Sequence, residues 1–596
     1  MNFSFFLSTL RYINKRDVPG NMIISHSYVF VFPSQRAVVE LIADKSLIDN
    51  NDELSRETKL ILKELECAVT QFVATTAPST FVTKITNSSL GDNSSLRTED
   101  ITDGWKKLGR KWIKSIARTE RQDISGNWST TSLREDDMTN NEKGLQQRVS
   151  LNLIRTDKLA DISDTDFVFA DIAQAERVMK DLKLVAGEAF PMTYNSDFNM
   201  QTDESFSRIF FHGIAAPLMA DQEALNDADL ELGKFMIDMS FMKGLDHRDT
   251  DLFKRYGAKV YFDENQMVTA IYDCDAEELV KPGDKRWKEA KMQAKVSAFT
   301  ITTVREHLAQ SHFMVANEAS REVVKTLHPE HPIRRLLAIF TYNTVSVNQN
   351  AFNQLVPERS LIHRAMPLTI KGMREVFDIA LKESIVYEPF PDREIKNPAL
   401  EELSEKGNFP YLKEGREYYE IARTMVREWL TEAGDEAEDK YALDFYEAMQ
   451  KATEGQRYVL PDYNKENMID LISTIVFTVT AYHELIGHVP DYTDLPNKAG
   501  LRLAKNPDND QTQVDAQAFI LMALITASTS IPAPQLMAEF PNYIGVGDGN
   551  EWERDVWTKF LANMGLQAKR VQEAERNRDF EFKYFDPSLF ECSISV

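Results

Sequence analysis

Long stretches of mainly apolar sequence without proline or glycine dominate the second half of the chain. The longest extends from Trp287 to about Leu327 and is typical of one continuous helix. Further helices are predicted over 467–485, also without proline or glycine, over 411–433, which contains one glycine, and over 367–382, which contains one glycine and has a proline at its start. The pattern therefore predicts a mainly α-helical protein, built as one large bundle.

Other parts of the chain have a different texture. Residues 259–272 alternate between apolar and polar positions around a polar turn, which predicts a short β-hairpin. Apolar positions from Leu60 to Val73 suggest another helix, whereas residues 84–147 are rich in Ser, Thr, Asn and Asp and are typical of loops. We therefore divide the chain into a mixed, loop-rich N-terminal extension, 1–160, packed on a main domain, 161–596.

Composition and charge exclude several classes of function. The 596 residues include 69 Lys and Arg against 93 Asp and Glu, a net charge of −24, which argues against nucleic-acid binding. The three cysteines, Cys67, Cys274 and Cys592, are too far apart for a paired metal motif. They favour a reducing, cytoplasmic location, with secretion left open. No run of 18 apolar residues is found, so we expect no membrane span, while peripheral membrane contact and the oligomeric state stay open.

Two pairs of histidines lie on the long apolar helices. His307 and His312 form one pair, and His483 and His488 form the other, each separated by five residues. On a regular α-helix, residues five apart point about 140° away from each other and cannot bind one ion. A local π-turn would bring them onto one face. Each pair is therefore either two unrelated, hydrogen-bonded core residues or part of a π-helical metal site.

The second pair also resembles the His-Glu-x-x-His motif of zinc proteases. That motif requires histidines four residues apart so that both face one zinc ion. Because His483 and His488 are five apart, we disfavour a hydrolase.

Several motifs occur in a fixed order along the chain. They are Trp287-x-x-Ala290-Lys291, His307-x4-His312, His331-Pro-Ile-Arg-Arg-Leu-Leu337, Asn348-x-x-Ala351, the helix with His483, and the terminal Ser593-Ile-Ser-Val596. This set resembles the lipoxygenase family of non-haem iron dioxygenases over about residues 200–596. The resemblance implies a lipoxygenase-type helical catalytic domain, in a short form without the family's N-terminal β-barrel domain.

The resemblance also implies a metal site. His307, His312, His483 and the main-chain carboxylate of Val596 would bind iron, or alternatively manganese, and a metal-bound hydroxide would act as the base. Family members usually carry Asn, His or Ser four residues after the third histidine, but here that position is Gly487. Either water or His488 would fill the vacant position.

The substrate implied by the resemblance is a polyunsaturated fatty acid with a 1,4-pentadiene, which reacts with O2 to give an oxylipin hydroperoxide. Ala351, Leu355 and Ile362 match positions along the substrate channel, and Ala351 suggests an S-configured product. Arg502 is a candidate partner for the substrate carboxylate. Two alternatives stay open, namely a hydroperoxide isomerase and a lipid-binding protein with altered chemistry.

Overall fold

The computed structural model describes residues 202–594, apart from gaps. The gaps are 224, 249–252, 329, 343, 345–347, 349–360, 394, 490–500, 504–534, 541–542, 548 and 579. The extension 1–160, with its expected helix and loops, lies outside the described residues. The prediction that the family's N-terminal β-barrel domain is absent concerns the same part of the chain.

The described part is mainly helical, which confirms the predicted fold class. The α-helices are α1 Asp203–Phe211, α2 Ala216–Ala220, α3 Asp227–Leu230, α4 Trp287–Thr300, α5 Asn317–Thr326, α6 Pro332–Phe340, α7 Leu361–Ala365, α8 Ile370–Lys382, α9 Pro398–Glu405, α10 Pro410–Glu432, α11 Lys440–Ala452, α12 Lys465–Phe477, α13 His483–Gly487 and α14 Trp552–Glu575. Two π-helical segments, π1 (Ile301–Ala316) and π2 (Thr478–Tyr482), join α4 to α5 and α12 to α13. Short 3-10 helices cover Ser240–Gly244, Phe390–Asp392 and Gly434–Glu438.

A small antiparallel sheet packs against the N-terminal end of the long helix. Its strands, β1 Phe235–Asp238, β2 Ala258–Phe262, β3 Val268–Asp273 and β4 Glu278–Val280, are neighbours in chain order. Strands β2 and β3 form the predicted hairpin, with Val260 opposite Ile271. The two outer strands were not predicted.

The longest helical stretch runs without interruption through α4, π1 and α5, as the sequence predicts. Its start is fixed by the carboxylate of Asp203 in α1. One oxygen of Asp203 accepts hydrogen bonds from Trp287 Nε1 at 2.8 Å and from Lys291 Nζ at 2.7 Å. Lys291 is only 1% exposed, so this carboxylate also balances a buried charge. Trp287 and Lys291 therefore orient the helix that bears the first histidine pair.

The second long stretch runs through α12, π2 and α13 and packs against α10. Among the described residues, this segment alone is long and apolar enough, by length and composition, to cross a membrane, and 89% of its apolar window is buried inside the protein. Its burial reflects its position in the core beside π1.

The predicted start of α8 was wrong. The helix begins at Ile370, and Pro367 lies before it. The cap is Thr369, whose hydroxyl accepts a hydrogen bond from the main-chain N–H of Gly372 at 3.1 Å. Gly372 is required there, because a Cβ atom would lie 2.2 Å from the carbonyl oxygen of Asp246.

A buried ion pair joins α6 to α14. Arg335 donates from Nε to Glu553 Oε1 at 2.6 Å and from Nη2 to Glu553 Oε2 at 2.8 Å. The same guanidinium also donates to the carbonyl oxygens of Tyr543 and Val546. Arg335 is 6% exposed and Glu553 is fully buried. This network holds the His331–Leu337 motif against the C-terminal part of the protein.

The last described residues are also buried. Cys592, Ser593 and Ile594 have no exposed surface. The Ser593 hydroxyl donates to the carbonyl oxygen of Tyr342 at 2.8 Å, shortly after α6. The described end of the chain therefore lies inside the protein rather than on its surface.

Candidate metal centre

The spacing of the first histidine pair is explained by π1. In a π-helix each main-chain hydrogen bond spans five residues, so residues five apart share a face. The rings of His307 and His312 accordingly lie with their centroids 4.7 Å apart. Of the two interpretations left open by the sequence, the structure supports the π-helical one.

The second π-helical segment brings His483 to the same point. Nε2 of His483 lies 2.9 Å from Nε2 of His307 and 3.1 Å from Nε2 of His312. The Nε2 atoms of His307 and His312 are 3.0 Å apart. His312 and His483 are buried, and His307 is half-buried. Three imidazole nitrogens from two helices thus converge on one point inside the protein.

Hydrogen bonds between the rings cannot satisfy this arrangement. In a neutral imidazole, each nitrogen carries either a hydrogen or a lone pair. Among three nitrogens in mutual contact, at least two must be of the same kind and would repel each other. A cation bound by three lone pairs satisfies all three nitrogens, and imidazole is a usual ligand of non-haem iron. The residues present therefore fit a metal ion.

The tautomer of His312 is set by Asn348. The amide nitrogen of Asn348 donates to the main-chain oxygen of His312 at 2.9 Å, so its oxygen must be the group that faces His312 Nδ1, also at 2.9 Å. Nδ1 is therefore the protonated nitrogen of His312, and Nε2 presents its lone pair to the metal position. The sequence included Asn348 in a family motif but did not reveal this role.

Substitution of Asn348 by alanine is expected to weaken metal binding by about 10- to 100-fold, because the His312 ring loses the acceptor that orients it. The dissociation constant, measured by competition with a chelator, is the test. Asn348→Asp keeps an acceptor and should retain more metal. Asn317→Ala is the matched control, since it removes the side chain that touches Asn348 at 3.4 Å and keeps the main-chain N–H that donates to the carbonyl oxygen of His312. Equal metal affinity in the Asn348 and Asn317 variants would contradict this role.

His488 lies outside the cluster. Its Nδ1 is 2.6 Å from the carbonyl oxygen of Glu484, and its Nε2 is 3.4 Å from the carboxylate of the same residue. The structure therefore does not bring His488 to the three nitrogens, and the His483–His488 pair does not form a protease-like zinc site.

The other predicted site residues have different outcomes. Ile362 is described and is 1% exposed. Ala351, Leu355 and Val596 lie outside the described residues. Arg502 is 3% exposed, with its guanidinium 4.2 Å from the centre of the Phe253 ring.

The sequence interpretation missed three polar residues that lie beside the histidines. Glu306 is 5% exposed and accepts hydrogen bonds from Arg305 and Tyr482. Burial and the neighbouring Glu306 raise the pKa of Tyr482 well above its usual value, so the phenol stays protonated and acts as the donor. The signal in the sequence was a charged pair, Arg305-Glu306, inside an otherwise buried helix.

The sequence and the fold were also compared with those of known proteins. No family model matches the sequence. Among curated proteins, the epidermal-type polyunsaturated fatty acid (12S)/(13S)-lipoxygenases of Mus musculus and Rattus norvegicus are 22% and 21% identical over 352 residues. The alignments cover 56% of this chain and 52% of each relative, so the chain spans about half the length of the curated relatives it matches.

Solved structures agree over more of the chain. Coral 8R-lipoxygenase superimposes with a TM-score of 0.60 at 14% identity, over 77% of this chain and 75% of that protein. Fusarium graminearum lipoxygenase gives 0.57 at 14% identity, over 76% and 88%. The manganese lipoxygenase of Gaeumannomyces graminis gives 0.54 at 13% identity, over 83% and 93%. The protein has the lipoxygenase fold.

Proposed function

We propose that this protein, which has the lipoxygenase fold, oxygenates polyunsaturated fatty acids at a non-haem metal centre and releases hydroperoxides. The observation that carries the proposal is that the Nε2 atoms of His307, His312 and His483 lie within 3.1 Å of one another. Curated relatives named as fatty-acid lipoxygenases support the substrate class.

Iron is the proposed metal, with manganese as the alternative, since one structural neighbour is a manganese lipoxygenase. When bound, the metal supplies the one-electron chemistry by which a hydrogen atom is removed from the carbon between two double bonds. We further propose that the carboxylate of Val596 is a fourth ligand. The burial of Ile594 and the Ser593–Tyr342 hydrogen bond support a position for the chain end inside the protein.

The side chains of this protein would orient the ligands and exclude water. Asn348 fixes the tautomer of His312. The apolar residues of π1 and π2 are buried, so they limit access of water to the centre, where a substrate radical would otherwise be lost to side reactions. Ile362 is also buried and is proposed to line the substrate channel. Ala351 and Leu355 are proposed to line the same channel, and Ala351 is proposed to direct oxygen to the S face.

The direct test is to incubate the purified full-length protein with linoleic and arachidonic acids. Oxygen uptake, conjugated-diene absorbance and bound iron and manganese should be measured together. We expect oxygen uptake and diene formation in proportion to the bound metal, with an S-configured hydroperoxide in chiral analysis. Metal binding without oxygen uptake would reject the dioxygenase. Consumption of added hydroperoxide in the same preparation would instead favour the isomerase.

Gly487 gives a further prediction, because it occupies the position of the family's usual additional ligand. A Cβ atom there would have only His307 Cε1 near it, at 3.9 Å, so a larger side chain fits beside the cluster. Gly487→Asn is expected to slow metal loss to a chelator about tenfold, which requires the new amide to contribute only ~1.4 kcal/mol. Gly487→Ala, which adds no ligand atom, is the control and should resemble the wild type. If both variants lose metal equally fast, the amide does not reach the ion.

A further inference from the structure

A buried hydrogen bond connects the two helices that carry the histidines. The carboxylate of Glu306, in π1, accepts a hydrogen bond from the hydroxyl of Tyr482, in π2, at 2.5 Å. The other oxygen of Glu306 accepts from Arg305 Nε at 2.5 Å. Glu306 immediately precedes His307, and Tyr482 immediately precedes His483. We call this pair the Glu306–Tyr482 bridge.

The location of the bridge matters because the site depends on two π-helical segments. If either segment formed a regular α-helix instead, residues five apart would point about 140° away from each other around the helix axis, and the ligands would be separated. The bridge joins the segments at the residues next to a ligand on each side. Within π1, the Ser311 hydroxyl also donates to the carbonyl oxygen of Glu306 at 3.0 Å, which fixes the same turn.

Stability alone does not explain a polar group at this position. A buried ion pair is often no more stabilising than well-packed apolar side chains, because charges lose their hydration on burial. Directional hydrogen bonds, in contrast, favour one relative position of two helices over others. Glu306 is 5% exposed and Tyr482 is 4% exposed, so water does not compete freely for their bond.

We propose that Glu306 and Tyr482 are positioning residues, which hold π1 and π2 at the separation where His307, His312 and His483 share one metal ion. The inference rests on the metal centre of the proposed function, but not on the substrate or reaction. It predicts that loss of the bridge loosens the metal site more than it loosens the fold.

The variant of choice is Tyr482→Phe, which removes one hydroxyl and keeps the ring. A cavity of about 60 Å³ is lined by both Glu306 and Tyr482, so a water molecule can pair with the oxygen of Glu306 that loses its partner, and the variant should fold. Tyr419→Phe is the matched control. It removes a buried hydroxyl that is 3.0 Å from Thr474 Oγ1 and connects α10 to α12, away from the histidines.

Two quantities should be measured on the full-length protein. The first is the rate at which Fe(II), Mn(II) or Co(II) is lost to a chelator, together with the visible spectrum of the Co(II) form. The second is the melting temperature without metal. We expect metal loss to be at least about tenfold faster in Tyr482→Phe than in Tyr419→Phe, while the two melting temperatures fall by similar amounts. Glu306→Gln keeps an acceptor for the tyrosine and should lie between Tyr482→Phe and the wild type.

The outcomes separate this inference from the proposed reaction. Equal rates of metal loss and equal Co(II) spectra in the two Tyr→Phe variants overturn the positioning role. Wild-type protein that binds none of the three metals overturns it as well, because the histidines would then not share an ion. Protein that binds metal, shows the expected difference and does not oxygenate fatty acids refutes only the proposed reaction.

Discussion

Replacement of His483 by alanine should abolish metal binding and lower the proposed fatty-acid oxygenation by at least ~10³-fold, since a bound metal typically lowers a barrier by several kcal/mol. His483 is the nitrogen that the second helix contributes to the cluster, so the variant leaves the two nitrogens of π1 and the proposed Val596 carboxylate. Two histidines cannot retain the ion against a chelator as three do. Metal content by mass spectrometry and initial rates of oxygen uptake are the measurements.

His488→Ala is the control for that substitution. It removes a second histidine from the same end of the helix, but one whose nitrogens face Glu484. We expect its metal content and rate to stay close to those of the wild type. Similar metal loss in the two variants would mean that His488 also contributes to the site.

Glu553→Gln is expected to lower the free energy of unfolding by about 3 kcal/mol, because it removes the buried counter-charge of Arg335 and leaves the exposed Glu330, 3.6 Å from Arg335 Nη1, in its place. The glutamine has nearly the same size, so little cavity is formed. The carboxylate also accepts from the main-chain N–H of Gly545 at 2.8 Å, and that contact is weakened as well. Urea denaturation monitored by circular dichroism gives the value.

An exposed ion pair provides the comparison. Glu402 and Lys406 are 2.6 Å apart, with side chains 65% and 60% exposed. Glu402→Gln should therefore leave the midpoint of urea denaturation nearly unchanged. If both glutamine variants were equally stable, the buried network would not be what holds α6 to α14.

The parts of the fold that could be predicted are those with long periodic sequence. The helix from Trp287 onwards and the hairpin around 259–272 were both confirmed. Strand β4 has only three residues, too few to show alternation, and so it was missed. The start of α8 was misplaced because Pro367 was taken as the first helical residue, while the hydrogen bond from Gly372 to Thr369 decides the cap.

Within the site, the histidines could be predicted from the sequence, whereas the side chains that orient them could not. The five-residue spacing of His307 and His312 made a π-helical turn one of two interpretations, and the same spacing at His483 and His488 does not bring that second pair together. The Glu306–Tyr482 bridge joins residues 176 positions apart, and no local pattern reports such a contact. Asn348 likewise acts across 36 positions. Side chains that orient the ligands are therefore harder to predict from sequence than the ligands themselves.

The buried thiol of Cys592 has a consequence for an enzyme that would generate peroxides. Peroxides oxidise thiolates rather than protonated thiols. Complete burial raises the pKa of Cys592 far above that of an exposed cysteine, and burial also raises the pKa of Cys274, to about 11. Both sulfurs thus remain protonated at neutral pH, and the folded protein should withstand oxidative damage by peroxides at these positions.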